Sequence, residues 1–381
     1  MRKLIKLSAA TAVAALATVM AIGPAMADPP TGVTPKETDI VGVGSDTLQN
    51  VLDQFSLDYN KTHLPPAKQL YSWDATNPKT GAIGDPIVTK SGCSSTPRPD
   101  GSSAGITALD ANAKTADGKA FCIDFARSSR PRASTDPALG PGGIVFVALA
   151  KDAVTWASNA TTNAPTNLTT AQLNAIYTCT DTNWSQVGGA NAPINAQLPQ
   201  TSSGTRAFFL KAIGVATPGP CVNSTAEENE GVNPVLQGPN VIFPYSVGKF
   251  IAEKFHSAKC LNTSCTPNAS GVICIPKTGQ NVFGCDTHGT MVLRNVNGTV
   301  PTSGTGAKTV INSTFDPNYM RTIYDVVRYS TSTADHIPAS LEKIFASSTA
   351  AVKGWACTSS RAKTDLRNYG FLVTPFCGVG S

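Results

Sequence analysis

Apolar and polar residues follow two different periods along this chain, and the clearest example is its first ordered stretch. In "TDIVGVGSDTLQNVLDQFSLDYN", residues 38–60, an apolar run precedes a glycine-serine turn, and apolar residues from Leu48 to Phe55 then follow at helical spacing. The pattern predicts a strand that feeds a helix through a glycine turn, which is an α/β unit. The proline- and threonine-rich residues before it, 28–37, are predicted to form a flexible leader.

The alternation of strands and helices continues to the C-terminus. The uncharged run "GGIVFVALA", residues 142–150, is the most evident strand, and "GSSAGITAL", residues 101–109, is typical of a helix capped by serine. Such alternation favours mostly parallel sheets flanked by helices, which bind ligands at the carboxyl ends of their strands. Further predicted elements are the strands in "AFCIDFARSS" and "RTIYDVVRYST", the helices in "NLTTAQLNAIY" (capped by Thr169 or Thr170), "RAFFLKAIG" and residues 338–350, the strand-turn-helix "NVIFPYSVGKFIAEKFH" and the helix-strand pair "AKTDLRNYGFLVTP".

Length and composition indicate a folded, secreted protein of two lobes. At 381 residues the chain exceeds one ordinary core, and 32 glycines and 27 prolines with only 14% charged residues favour a loop-rich fold. Residues 1–27 combine a basic start, an apolar stretch and the small-residue end Ala25-Met26-Ala27, which is typical of a cleaved signal peptide. The alternative, a membrane anchor, is disfavoured because the stretch is alanine-rich and shorter than the roughly 20 strongly apolar residues of a span.

The charge of the mature chain argues against nucleic acid as a partner. Removal of residues 1–27 takes away three cations and no anions, so the formal net charge falls from +5 to +2, which is too small for a nucleic-acid footprint. The first cysteine is Cys93, so the cleavage site lacks the cysteine of a bacterial lipoprotein. We therefore expect an extracellular protein that is not inserted in a membrane.

Ten cysteines behind a signal peptide predict disulfides rather than free thiols. The chain has no C-x-x-C motif, its spacings do not match structural zinc patterns, and four histidines offer few further ligands, so we expect five disulfides and no metal site. Residues 257–314 contain four of the cysteines and show little periodicity, and they form either a disulfide-pinned insertion or a β-meander. The expected pairs are Cys93 with Cys122, Cys179 with Cys221 and Cys357 with Cys377, which leaves Cys260, Cys265, Cys274 and Cys285 to pair among themselves.

Four polar turns place glycine and hydroxyl residues where a strand gives way to a helix. A helix N-terminus presents unpaired backbone N–H groups with a partial positive charge, and hydroxyl groups add donors, so an oxyanion is the natural ligand. Arg127, Arg130 and Arg206 lie in these turns, and a guanidinium group matches the geometry of a tetrahedral oxyanion. The structural alternative is ordinary helix caps and surface arginines. The turns are "GVGSDT" (42–47), "GSSAG" (101–105), "ARSSR" (126–130) and "SSGTR" (202–206).

The turn "GSSAG" also matches the G-x-S-x-G pattern of a serine hydrolase, with Ser103 as nucleophile and Asp335 and His336 as conceivable partners. That pattern needs a buried strand before the serine, whereas "STPRPDGSS" contains two prolines and no apolar run. Asp335 and His336 are also adjacent, although a triad needs them on separate loops. A secreted hydrolase acting on esters or phosphoesters is therefore the second hypothesis.

Read in order, the turns resemble the phosphate-binding proteins of bacterial high-affinity phosphate ABC transporters, which have the type 2 periplasmic-binding-protein fold. "GVGSDT" resembles the opening G-x-G-A-T-F-like turn, "GSSAG" the G-S-S-G-G helix start, "DFARSS" the D-F-x-x-S-D-like strand end, and "SSGTRAFF" the S-G-T helix start. "VIFPYSVGKFI" and "RTIYDVVRYS" are similar to later segments of the family. The resemblance runs from about residue 39 to the C-terminus, with insertions at 60–98 and 257–314.

The resemblance implies a two-lobed α/β fold, each lobe a mostly parallel sheet flanked by helices, and a set of binding residues in the four turns. Two signature residues are absent: Ser129 stands where the family has an aspartate that accepts the ligand's proton, and Pro199 stands where it has an arginine. The hypothesis is that Asp46 replaces the acceptor and that Arg206, Arg127 or Arg130 supplies the charge. The predicted ligand-binding residues are Ser45, Asp46, Thr47, Ser102, Arg127, Ser129, Ser203, Gly204, Thr205 and Arg206.

The sequence thus predicts a secreted solute-binding protein that captures phosphate or a related oxyanion in a cleft between two lobes. Residues 38–150 with 320–381 form lobe one, and residues 151–319 form lobe two. No catalytic residue, metal or cofactor is expected, the protein is expected to be a monomer, and an ABC permease is the candidate partner. A third hypothesis is a scavenging or adhesion protein that works without a transporter, because a protein without a lipid anchor must reach its permease by diffusion.

Overall fold

A computed structural model describes residues 28–30, 32–78, 82–256, 263–268, 271–276 and 288–381. The predicted signal peptide, residues 1–27, lies outside them. The strands are β1 (Ile40–Gly44), β2 (Leu70–Ser72), β3 (Pro86–Ile87), β4 (Thr96–Pro97), β5 (Phe125–Ser128), β6 (Ile144–Asn159), β7 (Asn167–Leu168), β8 (Asn195–Pro199), β9 (Asn223–Ala226), β10 (Val241–Ser246), β11 (Thr263–Asn268), β12 (Gly271–Pro276), β13 (Met291–Leu293), β14 (Asn295–Val296), β15 (Thr302–Ser303), β16 (Val310–Ile311), β17 (Met320–Arg328) and β18 (Leu372–Val373).

The helices alternate with groups of these strands along the chain. Short 3-10 helices span Trp184–Val187, Pro234–Leu236, Gly306–Lys308 and Pro317–Tyr319, and a π-helical turn spans Ala252–His256. The α-helices are α1 (Asp46–Thr62), α2 (Ser102–Asp110), α3 (Thr170–Tyr177), α4 (Gly204–Ala212), α5 (Val247–Ile251), α6 (Ala339–Phe345), α7 (Trp355–Thr358) and α8 (Ser360–Asn368).

One continuous sheet joins the two lobes, in the order β2-β1-β5-β17-β6-β10-β8-β9. The strands are parallel at both ends of this order, where β1 pairs with β2 and β5, and β8 pairs with β9 and β10. They are antiparallel in the middle, where β6 pairs with β17 and β10. The predicted alternation of strands and helices with parallel pairing is thus confirmed within each lobe, and the antiparallel strands connect the lobes.

The long strand β6 extends further than its uncharged sequence predicts. It runs for 16 residues, its first part pairing with β17 and its last part with β10, so the expected lobe boundary at 150/151 falls within it. The charges of Lys151 and Asp152 interrupt the apolar pattern. Asp152 is nevertheless buried, because Arg321 lies opposite it in β17 and the two side chains form an ion pair with an N–O distance of 2.7 Å.

Each lobe has its own apolar core. In lobe one, Phe55 of α1 and Phe125 of β5 pack in one cluster with the C-terminal helices α6 to α8, on one face of the sheet. In lobe two, Trp156 of β6 and Trp184 are fully buried and stack with ring centroids 6.3 Å apart. These separate cores make each lobe a packed support for the turns at its edge.

The starts of α3 and α2 are determined in different ways. Thr169 caps α3 as expected, and its hydroxyl exchanges hydrogen bonds with Gln172 in a capping box. The expected serine cap of α2 is wrong: the N-cap residue is Gly101, which has a φ of 90° and no side chain to cap with. A Cβ at Gly101 would lie 2.7 Å from the carbonyl oxygen of Ser202, so only glycine allows this approach between the lobes.

The three local disulfides are confirmed. Their S–S distances are 2.00–2.02 Å, and they join Cys93 to Cys122, Cys179 to Cys221 and Cys357 to Cys377. The pairing of the four middle cysteines lies outside the described side chains. Within the predicted leader, the Asp28 carboxylate forms an ion pair with Arg98, at an N–O distance of 2.6 Å. None of the helices in the described ranges has both the length and the apolar character needed to cross a bilayer.

Candidate functional site

The four polar turns predicted from the sequence meet at one place between the lobes. Ser45, the N-cap of α1, donates from its hydroxyl to Ser129 Oγ over 3.1 Å, and Ser102 Oγ lies 3.3 Å from the same atom. Gly204, the first residue of α4, faces them from lobe two: a Cβ on it would lie 2.3 Å from Ser102 Oγ and 2.4 Å from Ser129 Oγ. The N-termini of α1, α2 and α4 therefore point to one shared space, together with the end of β5.

A second group of hydroxyls joins the lobes beside these serines. Thr47 Oγ1 of α1 lies 3.3 Å from Thr205 Oγ1 of α4. Both threonine hydroxyls donate to Oε1 of Glu228, over 2.5 Å from Thr47 and 2.7 Å from Thr205. All three side chains are at most 1% exposed. We call Ser45, Thr47, Ser102, Ser129, Gly204 and Thr205 the hydroxyl cluster.

The cation at the hydroxyl cluster is Arg321, at the start of β17. Its Nη2 donates to Thr205 Oγ1 over 3.0 Å and lies 3.5 Å from Thr47 Oγ1. Its Nε and Nη2 also donate to Asp152, over 2.9 and 2.7 Å, which fixes the plane of the guanidinium group. The residue is 3% exposed, and its Nη1 has no hydrogen-bond partner among the described residues. One donor of a buried, oriented cation is thus left for another acceptor.

Asp46 lies at the edge of this site, where it contacts lobe two. Its Oδ1 accepts a hydrogen bond from the amide of Asn229 over 2.8 Å, and its Oδ2 lies 3.5 Å from Lys249 Nζ. The residue is 5% exposed and is the first residue of α1. A carboxylate there is stabilised both by the helix N-terminus and by the ammonium group.

The structure places the three arginines chosen from the sequence outside the hydroxyl cluster. Arg127 is buried and donates to the carbonyl oxygens of Gly44 and Ser45 and to a serine hydroxyl of β2. It therefore holds the backbone of the first turn in place. Arg130 forms an ion pair with Asp136 at 2.6 Å. Arg206 donates to the Pro199 carbonyl and to a serine of β9 on the side of lobe two.

Ser203 acts as the helix cap that its position in the turn suggests. Its hydroxyl oxygen accepts a hydrogen bond from the backbone N–H of Arg206 over 3.0 Å. It is fully buried next to Gly204. This cap fixes the N-terminus of α4 toward the cleft.

Carboxyl groups surround the site as well as donors. Asp100, just before α2, has a pKa raised to about 7, mainly by burial and further by the nearby Glu228, against a hydrogen bond from Gln200. Gln200 bridges the lobes, because its amide donates to Asp100 over 2.8 Å and its Oε1 accepts from the Glu228 backbone over 3.1 Å. The donors of the four turns therefore lie close to two acids, Asp100 and Glu228.

The residues of the alternative hydrolase site are separated in the structure. The Ser103 hydroxyl accepts a hydrogen bond from Arg130 over 3.2 Å. The His336 ring lies 3.2 Å from the Tyr329 hydroxyl and 3.1 Å from the Ser330 carbonyl oxygen. Among the residues that the structure describes, no hydrogen bond connects Ser103 to His336.

Sequence reasoning missed the two residues that are most central to the charge of the site, Arg321 and Glu228. Arg321 lies at the start of the predicted strand β17, which also contains Asp325 and Arg328, so nothing in the local sequence distinguishes it as a binding residue. Glu228 stands in the acidic run "EENE" of a loop, where nothing in the local sequence separates it from its neighbours.

A two-lobed α/β binding protein, with helix N-termini and hydroxyls directed into the cleft, is the class that this fold and site define. A family model described as the PBP superfamily domain matches residues 29–254, and the chain belongs to this superfamily. A comparison with curated protein sequences finds no match.

Two of the solved structures that are similar to this chain illustrate the fold. One is an ABC-type phosphate transport receptor from Vibrio cholerae, with 20% identity over 88% of this chain and all of the other, and a TM-score of 0.50. The other is a putative phosphate ABC transporter substrate-binding protein with bound phosphate from Clostridium perfringens, with 14% identity over 88% of this chain and 99% of the other, and a TM-score of 0.50. At such low identities the similarity shows the fold of this chain, which is the type 2 periplasmic-binding-protein fold, and it does not show the ligand.

Proposed function

We propose that the protein captures a small tetrahedral oxyanion, inorganic phosphate, between its two lobes. The observation that carries this proposal is the meeting of three helix N-termini and five hydroxyl groups at one buried place, next to Arg321. Helix N-termini and hydroxyl groups can donate hydrogen bonds, and the ionised oxygens of an oxyanion accept them. A site built from such donors therefore suits an oxyanion. The phosphate-binding function named for the two proteins of the same fold supports the choice of anion.

The position of Arg321 supports an anionic ligand. Arg321 contributes a fixed positive charge with one free donor, Nη1, among the described groups. Asp152 holds the guanidinium group from behind, so the group is oriented before the ligand arrives. Pre-oriented charged donors lose little entropy on binding and give short, strong hydrogen bonds.

The tight fit of the lobes supports a small anion rather than an ester. Ser45, Ser102, Ser129, Ser203 and Thr205 are all 0% exposed. The backbone N–H of Ser103 in lobe one donates to the Ser202 carbonyl in lobe two over 3.0 Å, which closes the site at the N-terminus of α2. A sugar or alkyl substituent on the anion would have to occupy the space that these contacts fill.

Asp46 is proposed as the group that distinguishes phosphate from sulfate. An ionised carboxylate accepts hydrogen bonds but donates none, so it favours an anion that still carries a proton, as phosphate does, and disfavours fully ionised sulfate. Asn229 and Lys249 hold Asp46 next to the hydroxyl cluster, which supports this role. Arg321 takes the part that the sequence assigned to Arg127, Arg130 or Arg206.

The test is calorimetric titration of the purified protein with phosphate and with sulfate. We expect phosphate to bind and sulfate to bind at least about tenfold more weakly, a difference of about 1.4 kcal/mol. Asp46→Asn should reduce this discrimination, and Asp117→Asn, at an exposed acid remote from the cleft, is the matched control. Absence of phosphate binding in the unchanged protein would refute the function, and unchanged discrimination in Asp46→Asn would refute the role of Asp46.

We further propose that the protein works outside the cell and passes its anion to an ABC permease. The predicted signal peptide and the three disulfides support secretion, because such bonds persist in oxidising compartments. The transport function named for the proteins of the same fold supports the permease.

A further inference from the structure

The carboxylate of Glu228 lies where the oxyanion would find two of its hydrogen-bond donors. Glu228 follows β9 in lobe two and is 1% exposed. Its Oε1 accepts from Thr47 of lobe one over 2.5 Å and from Thr205 of lobe two over 2.7 Å. A single oxygen atom therefore holds hydroxyls from both lobes.

A count of hydroxyl protons shows the consequence. Each threonine hydroxyl has one proton to donate. Thr47 and Thr205 both donate theirs to Glu228, so neither can donate to a second acceptor at the same time. An oxyanion that uses these hydroxyls must take the protons from Glu228, and it would also meet the negative charge of the carboxylate at close range.

The second oxygen of the same carboxylate shows that Glu228 is not fully satisfied in this position. Oε2 is buried and has no hydrogen-bond partner among the described residues. A buried carboxylate oxygen without a partner destabilises its position, because it has lost its water and received nothing in return. The loop is anchored through its backbone instead, by Gln200, so the side chain can leave while the loop stays.

We propose that Glu228 is an internal competitor for the anion site: it occupies the hydroxyls of Thr47 and Thr205, clasps the two lobes together, and must be displaced for the oxyanion to bind. The proposal rests on the oxyanion function proposed above and assigns its regulation to one residue. Glu228 then weakens affinity for every oxyanion alike, and it keeps the cleft closed against other solutes. This role is opposite to that of a carboxylate that accepts the ligand's proton, which would strengthen the binding of phosphate.

Two variants and a matched control test the competition. Glu228→Gln keeps the size of the side chain and removes its charge, Glu228→Ala removes the acceptor, and Glu227→Gln makes the same change at the neighbouring, partly exposed glutamate. Titration with phosphate and sulfate should show that both Glu228 variants bind both anions at least about tenfold more tightly than the unchanged protein. Glu227→Gln should bind as the unchanged protein does.

Hydrogen exchange of the protein without added anion tests the clasp separately. Loss of the bridge between Thr47 and Thr205 should speed amide exchange several-fold in the N-terminal turns of α1 and α4 in Glu228→Ala. The effect should be smaller in Glu228→Gln, whose amide oxygen can still accept from both threonines, and absent in Glu227→Gln. This readout needs no phosphate binding. If exchange rises but no form of the protein binds phosphate, the clasp stands and the proposed function fails.

The opposite results overturn the proposal. Unchanged affinity and unchanged exchange in the Glu228 variants would refute the clasp and leave oxyanion binding intact. Weaker phosphate binding together with tighter sulfate binding in Glu228→Gln would show that Glu228 accepts the proton of bound phosphate, and the competitor role would be wrong.

Discussion

Replacement of Gly204 by alanine tests the closed site with the smallest possible change, one methyl group. A Cβ at Gly204 would lie 2.3 Å from Ser102 Oγ and 2.4 Å from Ser129 Oγ, whereas real Cβ contacts essentially never fall below 3.0 Å. The Cβ is therefore about 0.7 Å too close to Ser102 Oγ and about 0.6 Å too close to Ser129 Oγ. Ser102 Oγ accepts from the backbone N–H of Ser129, and Ser45 donates to Ser129 Oγ, so the hydroxyls cannot turn away without losing these bonds.

The size of the effect follows from the two hydroxyls that must move. Each of these hydroxyls is a proposed donor to the bound phosphate, and a hydrogen bond to a charged group contributes about 1.5–3 kcal/mol. Loss of both bonds should therefore reduce the binding free energy by at least about 3 kcal/mol. We expect the affinity of Gly204→Ala for phosphate to fall more than about hundredfold, since 1.4 kcal/mol is a factor of ten. The fold should stay intact, because the nearest atoms to the added Cβ belong to two serine side chains of the other lobe, and each lobe keeps its own apolar core.

The assay is calorimetric titration with phosphate, with thermal unfolding by circular dichroism to confirm that the variant is folded. Lys211→Ala, on the exposed side of the same helix, is the control and should keep full affinity. Wild-type affinity in a folded Gly204→Ala variant would refute the reasoning, because it would mean that the turn at Gly204 does not close on the serines of lobe one when the anion is bound.

Two further predictions concern buried charges. Arg321→Met should abolish phosphate binding. It should also lower the free energy of unfolding, measured in urea, by about 3–5 kcal/mol, because Asp152 is left buried without its ion-pair partner. Adding Asp152→Asn should restore stability but not binding, and recovered binding would contradict the role of Arg321. Burial raises the pKa of Asp325 from 3.8 to about 8, so the folded state keeps a proton that the unfolded state loses, and stability should fall as pH rises from about 4 to about 8. Asp325→Asn should make that part of the stability profile less steep, although Asp100, whose pKa is raised to about 7, still contributes to it; an unchanged slope would refute the assignment.

Local sequence was sufficient for the elements that carry the site. The strand-turn-helix unit at β1 and α1, the capped helix α3 and the helix α4 depend on apolar spacing and on caps within a few residues, which the sequence displays directly. The three short-range disulfides were equally accessible, because each closes a loop of 20 to 42 residues. The predicted serine cap of α2 was wrong. Residue 101 lies against Ser202 of the other lobe, and this contact, rather than the helix itself, requires glycine there.

The partners of the charged residues were beyond local reasoning. Arg127 and Arg206 stand in the right turns, yet their side chains bond to the protein's own carbonyl groups. Arg321, which reaches the threonines, is 116 residues from Thr205 in the chain, and Glu228 is 181 residues from Thr47. No spacing rule connects residues at such distances.

The sequence by itself determined the α/β class, the polar turns at helix N-termini and the local disulfides, because these depend on periodicity, capping and short loops. The tertiary structure alone decided which cation faces the hydroxyls, which acid lies between the lobes, and that the four turns share one space. The physical reason is that hydrogen bonds and ion pairs of long side chains depend on how distant strands are packed side by side. Glycine and serine mark the turns that we propose to hold the anion, and the packing of the lobes decides which charges surround them.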